Sequence, residues 1–111
     1  MVAQEATSPA PAEKILVQAP RGIPARMVQE YVDRCLRALP GTKTALDQFD
    51  YSHMRVFGHR LRGSGGGYGL PVLTEIGSVL EEAALRGDTA ELQAQVAALE
   101  AYLSRLEILS E

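Results

Sequence analysis

The chain has 111 residues, 46% hydrophobic and 23% charged, with a formal net charge of −3. That is one domain's worth of folded protein, too short for two independent cores and too apolar for a disordered segment. A single cysteine, Cys35, excludes an intramolecular disulfide framework and any multi-cysteine zinc or iron–sulfur site. With no Trp, two Phe and four Tyr, the core must come from Leu, Ala and Val, which favours helices. No apolar run approaches the ~20 residues that cross a bilayer. Residues Met1 to Pro11 carry neither the basic nor the apolar region of a secretory signal. A soluble, cytoplasmic chain is expected.

Residues 1–12 are small, polar and Pro-containing, the composition of a flexible lead-in. Ile15-Leu16-Val17 follows as a short apolar patch before Pro20, Gly22 and Pro24, and the pattern leaves open whether it lies extended against the rest. Helical periodicity begins after Pro24. Met27, Val28, Tyr31, Cys35 and Leu39 recur at three- and four-residue steps, and Pro40-Gly41 predicts a stop. A short piece from Thr42 to Gln48 then reads as a kinked continuation. Asp50 is a candidate N-cap for a second long helix with Met54, Phe57 and Leu61 as its stripe. Each interior Gly costs about 0.8–1 kcal/mol relative to Ala, so propensity ends that helix near Gly63, where the run Gly63-Ser64-Gly65-Gly66-Gly67-Tyr68-Gly69 begins.

A third helix is expected from Leu70-Pro71, with Leu73, Ile76, Gly77, Leu80 and Ala84 inward and Gly87 as its stop. Asp88 caps a fourth, with Glu91 completing an acidic variant of the capping box. Its seam is Leu92, Val96, Leu99, Leu103 and Leu106. The fold class is therefore all-α: an antiparallel four-helix bundle over residues 24–111, preceded by a flexible or partly extended segment, 1–23. The leucine seam reads as core, because three other amphipathic helices need covering, so a monomer is expected.

The charge is unevenly spread. Residues 50–74 hold Arg55, Arg60 and Arg62 against Asp50 alone, whereas residues 75–111 hold two arginines against eight carboxylates. So small a basic island is too narrow for nucleic acid and suits a phosphate or an acidic partner. At about 100° per residue, Leu61 and Phe57 each lie about 160° from His59, which places this imidazole away from the buried stripe. Ser52, Arg55, Val56, Arg62, Gly63 and Gly66 share its face, within about 60°. Arg62, one turn on, presents a planar cation suited to phosphate oxygens. Gly63 clears space beside the ring, and Ser64 can bond back to its helix or face the core. An unprotonated imidazole is a competent nucleophile, so these groups together describe a phosphoryl-accepting histidine.

Gly58-His59-Arg60-Leu61-Arg62-Gly63-Ser64, continuing through Gly69, resembles the His-x-Leu-Lys-Gly-Ser…Gly signature of histidine phosphotransfer (HPt) domains. Leu80-Glu81 is similar to that family's Leu-Glu element, and the likeness spans roughly Pro24 to Leu109. The resemblance implies a four-helix bundle without ATP-dependent kinase activity, whose exposed histidine shuttles a phosphoryl group between receiver-domain aspartates. It gives His59 the acceptor role and Arg62 that of the phosphate-stabilising cation. Gly63 becomes the small residue beneath the docking receiver and Gly69 a structural glycine; the other residues sharing the His59 face, Ser52, Arg55, Val56 and Gly66, are then expected to bind the partner. It implies response-regulator receivers and a hybrid or multi-step histidine kinase as partners, no cofactor of its own, and Mg²⁺ on the receiver. It also implies that the second helix continues through the glycines. Three features depart from the pattern: Arg62 replaces the usual Lys, glycines 65–67 are richer than required, and Pro40-Gly41 interrupts the first helix.

Other readings have less support. The glycine run lacks a P-loop or dinucleotide pattern and has no preceding strand. His53 and His59 lie about 120° apart on a helix without acidic partners at ligand spacing, so no metal site is expected. Cys35 sits on an apolar face as an inert thiol. A kinase catalytic domain would need nucleotide-binding elements. The alternative that stays open is a binding module of the same fold that docks a receiver or kinase without relaying phosphate.

Overall fold

A computed structural model describes residues 13–110. The expected lead-in over residues 1–12, and residue 111, lie outside the described residues. Four helices pack as a bundle: α1 (Ala25–Asp47), α2 (Tyr51–Ser64), α3 (Pro71–Arg86) and α4 (Thr89–Arg105). Two short strands, β1 (Ile15–Gln18) and β2 (Leu106–Leu109), flank them and pair in parallel, Ile15 opposite Leu106 and Gln18 opposite Leu109. The core is one cluster of mainly Leu, Val and Ala side chains, with Met54, Leu70, Leu73, Leu80, Leu92 and Leu99 fully enclosed.

Helix starts follow local chemistry. Asp50 accepts from the His53 backbone N–H at 3.1 Å and Asp88 from that of Glu91 at 3.1 Å, each satisfying a donor with no partner inside the helix. The second half of the expected capping box is not made. Glu91 instead accepts from Gln95, while the Asp88 N–H donates to the Ala83 carbonyl. Pro71 occupies the first turn of α3, and Gly87, at φ 66°, ends it.

Several sequence expectations give way to packing. Pro40-Gly41 does not stop α1, which runs on to Asp47. Both residues face solvent, while Leu39, Thr42, Ala45 and Leu46 continue the buried stripe past them. Burial of that stripe outweighs one missing N–H bond and the glycine's entropy. Met27, expected on the inner face, is exposed; Val28 is the buried neighbour.

Helix α2 passes Gly63 and ends at Ser64. Gly65 keeps helical dihedrals, and Gly66–Tyr68 then forms a 3₁₀ turn closed by Gly69 at φ 78°, so the implied continuation holds through Gly65 only. The end of α2 is held from outside. Ser64 Oγ donates to the Arg60 carbonyl at 2.9 Å and shares a 2.6 Å bond with the Tyr31 hydroxyl. Thr74 Oγ1 donates to the Arg62 carbonyl at 3.1 Å and accepts from the Gly66 N–H at 2.9 Å.

The fourth seam is also shorter than its periodicity predicts. Leu92, Val96, Leu99 and Leu103 are buried in α4, but Leu106 has left the helix for β2. Its partner strand settles the open question at Ile15-Leu16-Val17, which is extended, with alternate residues turned inward. Arg105 Nε donates to the Glu13 carbonyl at 2.7 Å and ties the two ends together.

Candidate functional site

The site lies along the outer edge of the α2–α3 seam. Helix α2 buries Met54, Gly58 and Leu61, and the 3.6-residue period then turns Ser52, Arg55, His59, Arg62 and Gly63 outward. All five are exposed, as is Gly66, while Val56 is half-buried. The face predicted from the helical wheel is thus assembled on one surface. The His59 side chain is 61% exposed.

A carboxylate completes the arrangement. Glu81, on α3, places Oε2 at 3.1 Å from His59 Nδ1 and Oε1 at 3.1 Å from Arg62 Nη1. Its side chain is only 16% exposed. The Oε2 contact has hydrogen-bond geometry; Oε1 is buried without a hydrogen bond, so its link to Arg62 is a charge contact without good alignment. An anionic acceptor beside Nδ1 favours the tautomer with the proton there, which leaves the Nε2 lone pair free. Arg62 is paired with a carboxylate rather than standing as an isolated cation. Its guanidinium carries further N–H groups able to meet an anion.

Sequence reasoning singled out Leu80-Glu81 by likeness alone and gave Glu81 no role; its contact with His59 is what the structure adds. The signal was present in outline. Gly77, buried in α3, and Glu81 are four residues apart, hence near one another on the same helix. What the pattern lacks is the depth and register of α3 against α2.

The remaining positions divide. Gly63 is open, with no atom within 4 Å of where a Cβ would stand, and Gly67 likewise. Gly65 is enclosed instead; its Cβ would come 2.7 Å from Leu73 Cβ. Gly69 combines positive φ with Pro20 Cγ 2.8 Å from a would-be Cβ. Beside the His59 face, an open groove of about 590 Å³ runs between α1 and α2, and Ala38, Thr42, Ser52, Val56, Phe57 and Arg60 are among its walls. Cys35 is a buried free thiol whose pKa burial pushes up. Among the described residues, no three His, Cys, Asp or Glu side chains cluster as a metal site, and no helix is long and apolar enough to cross a membrane.

Comparison with known families decides between bundles that look alike. The family model of the Hpt domain matches residues 26–108. The chain belongs to the Hpt domain family. Membership implies histidine phosphotransfer within a phosphorelay, and it accounts for the bundle and for an exposed histidine at mid-helix. No curated protein and no solved structure matches the chain. The Hpt match takes in the four helices except Ala25 and most of β2 but not β1, so the strand Ile15–Gln18 is an addition at the edge of the domain.

Proposed function

We propose that this Hpt domain is a phosphorelay intermediate in two-component signalling. It accepts a phosphoryl group on His59 from one receiver-domain aspartate and donates it to another. The observation that carries the reading is the exposed His59 ring with Glu81 on Nδ1. A receiver docks over Arg55, His59, Arg62 and Gly63, with Ser52, Val56 and Gly66 at the margins of the contact.

In the forward step the Nε2 lone pair attacks phosphorus in line. The N–P bond forms as the bond from phosphorus to the aspartyl oxygen breaks, and that carboxylate leaves. The Nδ1 proton stays where it is, facing Glu81, so the product ring carries a positive charge balanced by that carboxylate. The reverse step breaks the N–P bond in favour of a second aspartate, and the imidazole leaves neutral. Transfer of this kind asks mainly for positioning and charge stabilisation. Arg62 supplies a cation for the phosphoryl oxygens, drawn from its contact with Glu81. Mg²⁺ and the remaining catalytic groups belong to the receiver, and the site of action is the cytoplasm.

Incubation with a labelled phospho-receiver tests the proposal. Wild type gains an acid-labile, base-stable adduct and His59→Gln gains none. Undiminished labelling of His59→Gln ends the relay reading. Docking of the receiver without any adduct on wild type replaces it with a non-relaying adaptor.

A further inference from the structure

We propose that Gly77 is a positioning residue: its backbone contact with α2 holds Glu81, one turn further along α3, within hydrogen-bonding reach of His59. The inference rests on the relay reading and adds to it a residue that touches neither the imidazole nor a phosphoryl group.

Gly58 and Gly77 are both buried and face each other across the α2–α3 seam. A Cβ added at Gly77 would stand 2.6 Å from the Gly58 carbonyl oxygen and 2.9 Å from Arg62 Cα, and would collide with the Arg62 backbone nitrogen. The reciprocal Cβ at Gly58 would stand 2.7 Å from the Glu81 nitrogen, 2.8 Å from the Gly77 oxygen and 2.9 Å from Leu80 Cβ. At Gly77 all the obstructing atoms are backbone, so no rotamer change relieves the clash. Packed helices are ordinarily held 8–10 Å apart by the side chains between them; here that layer is missing, because both helices present hydrogen where a side chain would begin.

The closeness is transmitted to the site by a short, stiff path. Glu81 lies four residues beyond Gly77 in the same helix, and Arg62, whose backbone Gly77 touches, lies three beyond His59. On the other side of the contact Thr74 bridges to the Arg62 carbonyl and the Gly66 N–H. To bring a Gly77 Cβ from 2.6 Å to an ordinary 3.4 Å from the Gly58 oxygen, α2 and α3 must part by at least about 0.8 Å, and by more to clear the Arg62 nitrogen. The same displacement takes the 3.1 Å bond between Glu81 and His59 out of hydrogen-bond range. The Glu81 side chain is mostly enclosed, which limits how far its carboxylate can follow.

Nitrogen-15 NMR of the His59 ring, with phosphotransfer rates measured in parallel, tests the proposal. In wild type the neutral ring carries its proton mainly on Nδ1. In Gly77→Ala the ring shifts toward the Nε2–H form that free histidine favours in water, and transfer slows by roughly tenfold, within the range that small misplacements produce. Gly41→Ala, at an open position on α1, leaves both readouts unchanged. A merely structural glycine would lower the melting temperature of Gly77→Ala without moving the tautomer, and that result overturns the proposal. Should Gly77→Ala not fold, Glu81→Asp withdraws the carboxylate by one methylene on an intact interface. The same tautomer shift there supports the role of close spacing, and a wild-type tautomer refutes it. Failure of wild-type His59 to accept phosphate would sink the relay reading yet leave the tautomer measurement standing, so the two failures are distinguishable.

Discussion

Glu81 Oε2 lies 3.1 Å from His59 Nδ1, so a carboxylate on α3 engages one ring nitrogen of an α2 histidine and favours the tautomer with the proton there. The same side chain also meets Arg62, and one anion thereby touches both the imidazole and its neighbouring cation.

Removing that anion separates its two effects. Glu81→Ala loses the acceptor at Nδ1, and a hydrogen bond to a charged group is worth about 1.5–3 kcal/mol. Transfer from a phospho-receiver is expected to fall by about tenfold or more. Glu81→Gln keeps an oxygen able to accept from Nδ1 but no longer balances the charge of the phosphorylated ring, so its rate should fall between those of wild type and Glu81→Ala. Stopped-flow transfer measurements rank the three proteins, and equal rates for wild type and Glu81→Ala would remove Glu81 from the mechanism.

Arg62 tests charge against geometry. Lys in its place keeps the cation but gives up the planar fork; Ala removes both. Arg62→Ala is expected to slow transfer by roughly an order of magnitude, given what phosphate-contacting cations contribute to charge stabilisation. Arg62→Lys should fall in between. Because half of the Arg62 side chain is exposed, salt screens its pairing, and melting temperatures of the variants should stay near wild type. A large loss of stability in Arg62→Lys would reassign this residue to the fold.

Gly63 and Gly41 make a matched pair, both helical and both with open space around a would-be Cβ. Ala at either position should stabilise the isolated domain by about 0.5–1 kcal/mol. Only Gly63→Ala puts a methyl group on the His59 face, so only that variant should bind and phosphorylate more weakly with a receiver. Calorimetric titration alongside thermal melts reads both quantities. Unchanged receiver affinity in Gly63→Ala would move the docking surface away from this position.

Tyr31 predicts an alkaline limit to stability. Burial pushes its pKa up to about 12 from an ordinary 10, against the opposing effect of its bond to Ser64. The folded state therefore holds the proton more tightly than the unfolded state. The stabilisation is complete below about pH 10 and is lost as pH rises toward and through about 12. Urea unfolding between pH 8 and pH 12 should show that decline. Tyr31→Phe, already weakened by losing the 2.6 Å bond to Ser64, should show a shallower one. Parallel declines in the two proteins would show that other groups set the limit.

The periodic parts of this molecule were legible in its residues. Apolar spacing located four helices, Asp50 and Asp88 marked two of their starts, and the 100° step turned His59 away from Met54 and Leu61. These are local properties, decided within a turn or two of chain. Tertiary structure decided what depends on residues far apart in sequence. Burial of Thr42, Ala45 and Leu46 carried α1 through Pro40, while Thr74 and Tyr31 held α2 past Gly63. Pairing with Ile15–Gln18 drew Leu106 out of its helix. The contact between His59 and Glu81 belongs to this second group, because it spans 22 positions and needs the close approach of two backbones at Gly58 and Gly77 that no helical wheel contains.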